Sequence, residues 1–277
     1  MKRLLIASAC LLCLFTSVPE AQGGFNTIEP ARMATPLIQA AEEGDADAVR
    51  SLLKNGADPN DTDIFGGTAL IRAARNGNIE IAGLLLAHGA DVNAPIEGAN
   101  RTTPLMYAVS NGNTGMVRLL LEHGADVNDR DASWRDAMGQ GVGDVEIAGL
   151  LLEHGGGFSA GGCGVMYRAA CSDQMDMLEV LLAHGGQVCR GSLEGAAHGT
   201  GEALGLLLAR GMDVNARKAD GRTALMTAAE LGRADMAGLL LSHGADAGLQ
   251  DREGRTALMF AVRGKHAEVV RLLSPQD

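Results

Sequence analysis

The chain has 277 residues, 46% hydrophobic and only 3% aromatic, with a formal charge of −11. That sign argues against a nucleic-acid binder, which needs cations against phosphate, and equally against an anionic membrane surface. The length would allow one large domain or two small ones; the acidic charge by itself only keeps a long surface soluble.

Residues 1–23 read as a secretory signal peptide. Lys2 and Arg3 form a basic start, Leu4 to Phe15 is an apolar run, and Ala21 and Gly23 are small residues suited to a cleavage site. The run is too short to span a bilayer, since a crossing helix needs about 20 residues. The alternative is an uncleaved anchor. Ala7-Ser8-Ala9 before Cys10 makes a poor lipidation box. Removing the segment takes away Lys2, Arg3 and Glu20 and leaves a charge of −12. No later stretch could span a membrane. Export points to a periplasmic location, with release from the cell as the alternative.

A connector, 24–33, precedes the main feature. Residues 68–93 read TALIRAARNGNIEIAGLLLAHGADVN, and from Thr223 the chain reads TALMTAAELGRADMAGLLLSHGADAG. Looser copies begin at Thr35, Thr103 and Thr256. Each unit predicts two short helices. Thr68 is placed to cap the first, and Pro36 and Pro104 follow the equivalent threonines where a missing N–H costs nothing. Leu70, Ala73 and Ala74 give one apolar face, and Gly77 ends the helix. Ile81 to Leu86 form the second helix, which Gly89 stops. Helices of about ten residues do not persist alone in water, so neighbouring units must supply the core.

The stop glycines Gly56, Gly89, Gly124, Gly155, Gly185, Gly211 and Gly244 are spaced by 33, 35, 31, 30, 26 and 33 residues. The units run 34–60, 61–94, 95–129, 130–158, 159–188, 189–216, 217–248 and 249–277. The step of 35 needs extra turn residues within Pro95 to Arg101. The short steps mark an irregular middle: Trp134-Arg135-Asp136 and Ser192-Leu193-Glu194 replace the threonine start, and 155–164 is mostly glycine. Lys265, His266, Glu268 and Arg271 are available to wet the outer face of the last unit.

The pattern T-x-L-x-x-A-A-x-x-G followed by L-L-L-x-H-G-A-D-V-N, at a period near 33, resembles the ankyrin repeat. The resemblance implies an all-α solenoid of about eight helix-turn-helix units with short hairpin loops. It implies a protein-interaction scaffold or regulator with no catalysis of its own, or else a secreted effector or inhibitor of a foreign protein. The family usually has His where this chain has Ile38, Ile71, Met106, Met226 and Met259, so contacts between units there are expected to be apolar.

The resemblance also implies that partners dock on the concave side, formed by turn tips and first helices. The corresponding positions are Ile64, Phe65, Arg72 and Arg75 in the second unit, and Arg101, Tyr107 and Asn111 in the third, with Asn100 beside them. Trp134 and Arg135 follow in the fourth, then Arg217, Lys218, Arg222, Arg252 and Arg255 in the last two. Aromatic and Arg side chains are favoured hot spots, and arginines on an acidic protein suit a protein partner with an acidic patch. Trp134 has a second reading, as a plug for the gap left by the missing threonine. The chain is expected to be a monomer.

Three features invite chemistry. His88, His123, His154, His184 and His243 share one repeat position, but successive units stand about 8–10 Å apart, too far for one metal. These rings are expected to bond helix-end carbonyls, and no metal or other cofactor is implied. Gly157-Phe158-Ser159-Ala160-Gly161 matches a nucleophile elbow, but no strand precedes it, which makes a hydrolase using Ser159 the lesser reading. Cys163 and Cys189 share a repeat position. Normal stacking would hold them beyond disulfide reach, whereas the shortened turns would bring them close. A Cys163–Cys189 bond would leave Cys171 as a free thiol.

Overall fold

The computed structural model describes residues 34–96, 101–131, 136–140, 143–157, 160–186, 189 and 191–274. Among them are fifteen α-helices, and the only β pairing is one isolated bridge between Thr62 and Thr68. Residues 1–33, expected to be signal and connector, and Asn100, Trp134, Arg135, Phe158 and Ser159 lie outside the described residues.

Successive pairs are α1 (Pro36–Glu43) with α2 (Ala46–Lys54), α3 (Ala69–Asn76) with α4 (Ile79–Ala87), and α5 (Pro104–Ser110) with α6 (Thr114–Glu122). A 3-10 turn, Met138–Gln140, then stands before α7 (Val145–Glu153) where a first helix would be. The pairs resume with α8 (Ala160–Cys171) and α9 (Met175–Ala183), α10 (Ser192–Ala196) and α11 (Gly201–Ala209), and α12 (Ala224–Leu231) and α13 (Ala234–Ser242). The last is α14 (Ala257–Gly264) with α15 (Ala267–Leu273). First helices pack on first helices, α1 on α3 on α5 and α8 on α10 on α12 on α14, and the 3-10 turn bridges α5 to α8.

Local chemistry explains the elements. The hydroxyls of Thr35, Thr68, Thr103, Thr223 and Thr256 accept the amide three residues on, at 3.3–3.5 Å. Gly77 and Gly232 close α3 and α12 in the left-handed region, at φ 74° and 73°. Where the threonine is missing, the first helix changes. The 3-10 turn is three residues long, α10 has five, and Gly191 caps α10 without a side-chain bond. Paired alanines, Ala73 with Ala74 and Ala228 with Ala229, are fully buried and let neighbouring helices approach.

A second device links the units. Asn60, Asn93, Asn128 and Asn215 each donate Nδ2–H to the stop-glycine carbonyl of the next unit, at 3.0–3.4 Å. Each Oδ1 also accepts an amide two residues further on, from Asp91, Asp126, Gly157 and Asp246. Between Asn128 and Asn215 the equivalent positions are Ser159 and Cys189. Nine residues separate Asn60 from Ala69, and Asn215 from Ala224, but only three separate Cys189 from Ser192. The hairpin is gone from that junction. There Cys189 is joined to Cys163 of α8, with a Cα–Cα distance of 5.2 Å. Cys171 is a free thiol at the end of α8.

Ile38, Ile71, Met106 and Met226 are buried between units, as the apolar substitution for His requires. Two corrections apply. Met259 is exposed, because no described unit covers it. In the middle, register from the buried alanine pairs puts Tyr167 and Glu194 at this same position, so the junctions there are polar.

Candidate functional site

The side expected to take a partner is built by the tips before the first helices. In the second unit Asp63 is almost fully buried and accepts the amides of Phe65 and Gly67 at 2.8 and 2.9 Å, and also the Arg72 guanidinium. Burial pushes its carboxyl up, but the Gly67 amide, Arg72 and the Phe65 amide outweigh this and leave it below the usual carboxylate range. The turn so fixed holds Ile64 and Phe65 outward, 44% and 66% exposed. Asp251 repeats the design in the last unit, accepting the amides of Glu253 and Arg255 at 2.9 Å and the Arg255 side chain at 2.7 Å.

The predicted cations fall into two clusters, and most are already engaged. Arg75 reaches Glu42 of the preceding unit at 2.5 Å, and Arg72 bridges Glu42 and Asp63. In the other cluster, Arg222 and Arg255 lie on the Phe260 ring, each 4.8 Å from its centroid, a cation–π arrangement. Arg222 also pairs with Glu230, and Arg255 with Asp251 and Glu253. Arg217 donates to the carbonyls of Gly221 and Gln250. A partner's acidic patch would therefore compete with internal carboxylates for these groups. Arg101 and Arg252 are exposed, and no ion pair of theirs occurs among the described residues. Tyr107 packs half-buried against the core, and Asn111 donates to the Arg75 carbonyl at 2.8 Å, a bond between units.

Sequence reasoning missed a polar joint between the fifth and seventh units. Lys218 occupies the tip position held elsewhere by Asp63 and Asp251, and its Nζ lies 2.7 Å from Oε2 of buried Glu194. Thr227 donates to the other Glu194 oxygen at 3.3 Å. Burial, a bond to Cys171 and nearby Glu194 push the Tyr167 hydroxyl up to about 12. Burial also raises Cys171, so it remains a thiol rather than a reactive thiolate. The legible signal was Glu194 standing in an Ile/Met position.

The five helix-end histidines bond as expected. Nδ1–H of His88, His123, His154, His184 and His243 donates to the carbonyl four residues earlier, at 2.8–2.9 Å. No group of His, Cys, Asp and Glu suited to a metal occurs among the described residues. Ser159 lies outside them. A cavity of about 420 Å³ opens beside α7 and α9, lined by Asp173, Met175 and Met177 among others. No described helix is long and apolar enough to cross a membrane.

Stacked helix pairs with exposed tips are the architecture of a binding module. The family description "Ankyrin repeats (3 copies)" matches residues 34–131 and 193–277, so the chain belongs to the ankyrin-repeat family. It is thereby a protein–protein interaction module, of a family generally without enzymatic activity. The unmatched 132–192 span covers the 3-10 turn, α7, α8 and α9, with Tyr167 and Cys171 of the polar joint, whereas Glu194, Lys218 and Thr227 fall within the matched residues. No curated protein matches the chain.

Proposed function

We propose that this is an exported, non-catalytic scaffold or regulator of the cell envelope, which binds a protein partner on its concave tips. The observation that carries the reading is the Ile64-Phe65 tip. Two large apolar side chains are held in water by a buried aspartate and contribute little to the core. Such residues are more useful against a partner than in the free protein. The 1–23 segment supports export, and a periplasmic site is favoured over release. Fractionating cells into periplasm and medium separates the scaffold from a secreted effector.

Pull-down from an envelope extract tests the surface. Phe65→Ala is expected to lose at least tenfold in recovery of a partner while keeping the melting temperature. Equal recovery by wild type and variant would place the binding surface elsewhere.

A further inference from the structure

Among the described residues the two ends of the stack differ, and no further first helix packs on the outer side of α14. Register places Met259 with Ile38, Ile71, Met106 and Met226, and Val262 with Ala41, Ala74, Val109 and Ala229. Those eight residues are at most 4% exposed, whereas Met259 is 55% and Val262 58% exposed. Leu272 of α15 is also exposed. The charged residues Lys265, Glu268 and Arg271 wet one side of this end, as the sequence suggested, but α14 keeps a bare apolar stripe.

What covers the equivalent stripe elsewhere is a helix: α3 packs on α1, α5 on α3, and α14 on α12. The end face thus has the shape of a helix seat. Its charge narrows the occupant further. Between residues 257 and 274 the cations are Arg263, Lys265 and Arg271, against the single acid Glu268, in a chain of net charge −11. Arg263 lies one turn beyond Met259 and so borders the stripe, and Lys265 is the exposed C-cap residue that closes α14. None of these three cations makes an ion pair among the described residues, unlike Arg72, Arg75, Arg222 and Arg255.

We infer that this end is a second docking face, and that its occupant is a short amphipathic helix with small apolar residues on one side and Asp or Glu beside them. The helix would stack on α14 as another first helix does. Its carboxylates would meet Arg263 and Lys265. A second copy of the chain suits the face less well. An end-to-end pair would set like cations together, and the first unit exposes no large apolar side chain among its described residues to offer instead. An anionic bilayer would have to accept a strongly acidic protein.

The test is a displayed library of fifteen-residue helices selected on the purified protein. Its readout is the sequence pattern of the selected helices and their affinity for variants. Helices enriched in Ala and Leu at i, i+3 and i+4 with flanking Asp or Glu are expected. Their affinity should fall at least tenfold with Met259→Glu/Val262→Glu, or with Arg263→Glu/Lys265→Glu, and weaken with salt. The replaced side chains are largely in solvent, so unchanged melting temperatures should accompany the loss. Phe65→Ala should leave this binding intact, which separates it from the concave reading. The inference is overturned if the selected helices lack acids, if both variants bind as wild type does, or if Phe65→Ala abolishes binding. It is equally overturned if sedimentation shows self-association, or phosphatidylglycerol vesicles show binding, that Met259→Glu/Val262→Glu removes.

Discussion

Asp63 joins two roles in one side chain. It is the nearly buried acceptor for two amides and a guanidinium, and it sets the direction of Phe65. Asp63→Asn keeps the size but loses the charge, and should cost about 1–3 kcal/mol in chemical denaturation. Because the carboxyl is held below its unfolded value, its contribution is complete above about pH 4. It is lost as pH falls through the lower folded value. Titrating wild type and Asp63→Asn in acid should therefore bring their stabilities together. Glu194 is the opposite case, an acid at a position where other units use Ile or Met. Lys218 compensates it only partly, since that side chain stays 40% exposed. Replacing a buried ion-paired group by a well-packed apolar one is often neutral or stabilising by about 1–4 kcal/mol. Glu194→Met should raise the melting temperature; a fall would mean that the polar joint supports the middle units.

At the scale of elements, the regular pairs were legible, while of the middle only its irregularity and its cysteine pair were. Thr68, the Ala73-Ala74 pair and Gly77 each act locally, so their spacing announces a helix and its ends. The 3-10 turn at Met138–Gln140 carries no such marker. Its form depends on what α5 and α8 leave between them. The engaged arginines were equally hidden. Glu42 lies one whole unit before Arg75, and sequence spacing does not reveal which carboxylate turns toward which guanidinium. Cys163 and Cys189 were legible as a pair because a shared repeat position and a shortened step pointed to the same junction. That bond stands where the asparagine ladder is interrupted, so one link replaces several. With a sequence separation of 26, the crosslink should contribute roughly 3–4 kcal/mol through the unfolded state. Cys163→Ser is expected to lose that much in equilibrium unfolding. Hydrogen exchange should rise most in α8 and α10, and a uniform rise along the stack would contradict this assignment.

Across the whole molecule, the main helix contacts among the described residues run between neighbouring units, so stability is a sum of units and junctions rather than of one shared centre. Two asparagine-linked blocks, one ending near Gly157 and one beginning at Asn215, flank the single covalent junction. A molecule held at both ends and stretched would show this directly. Oxidised, the segment between Cys163 and Cys189 cannot lengthen, and roughly 85–90 Å of thread stays hidden at about 3.5 Å per residue. Adding a reductant under tension should release that length in one step, turning a short spring into a longer one without touching either block.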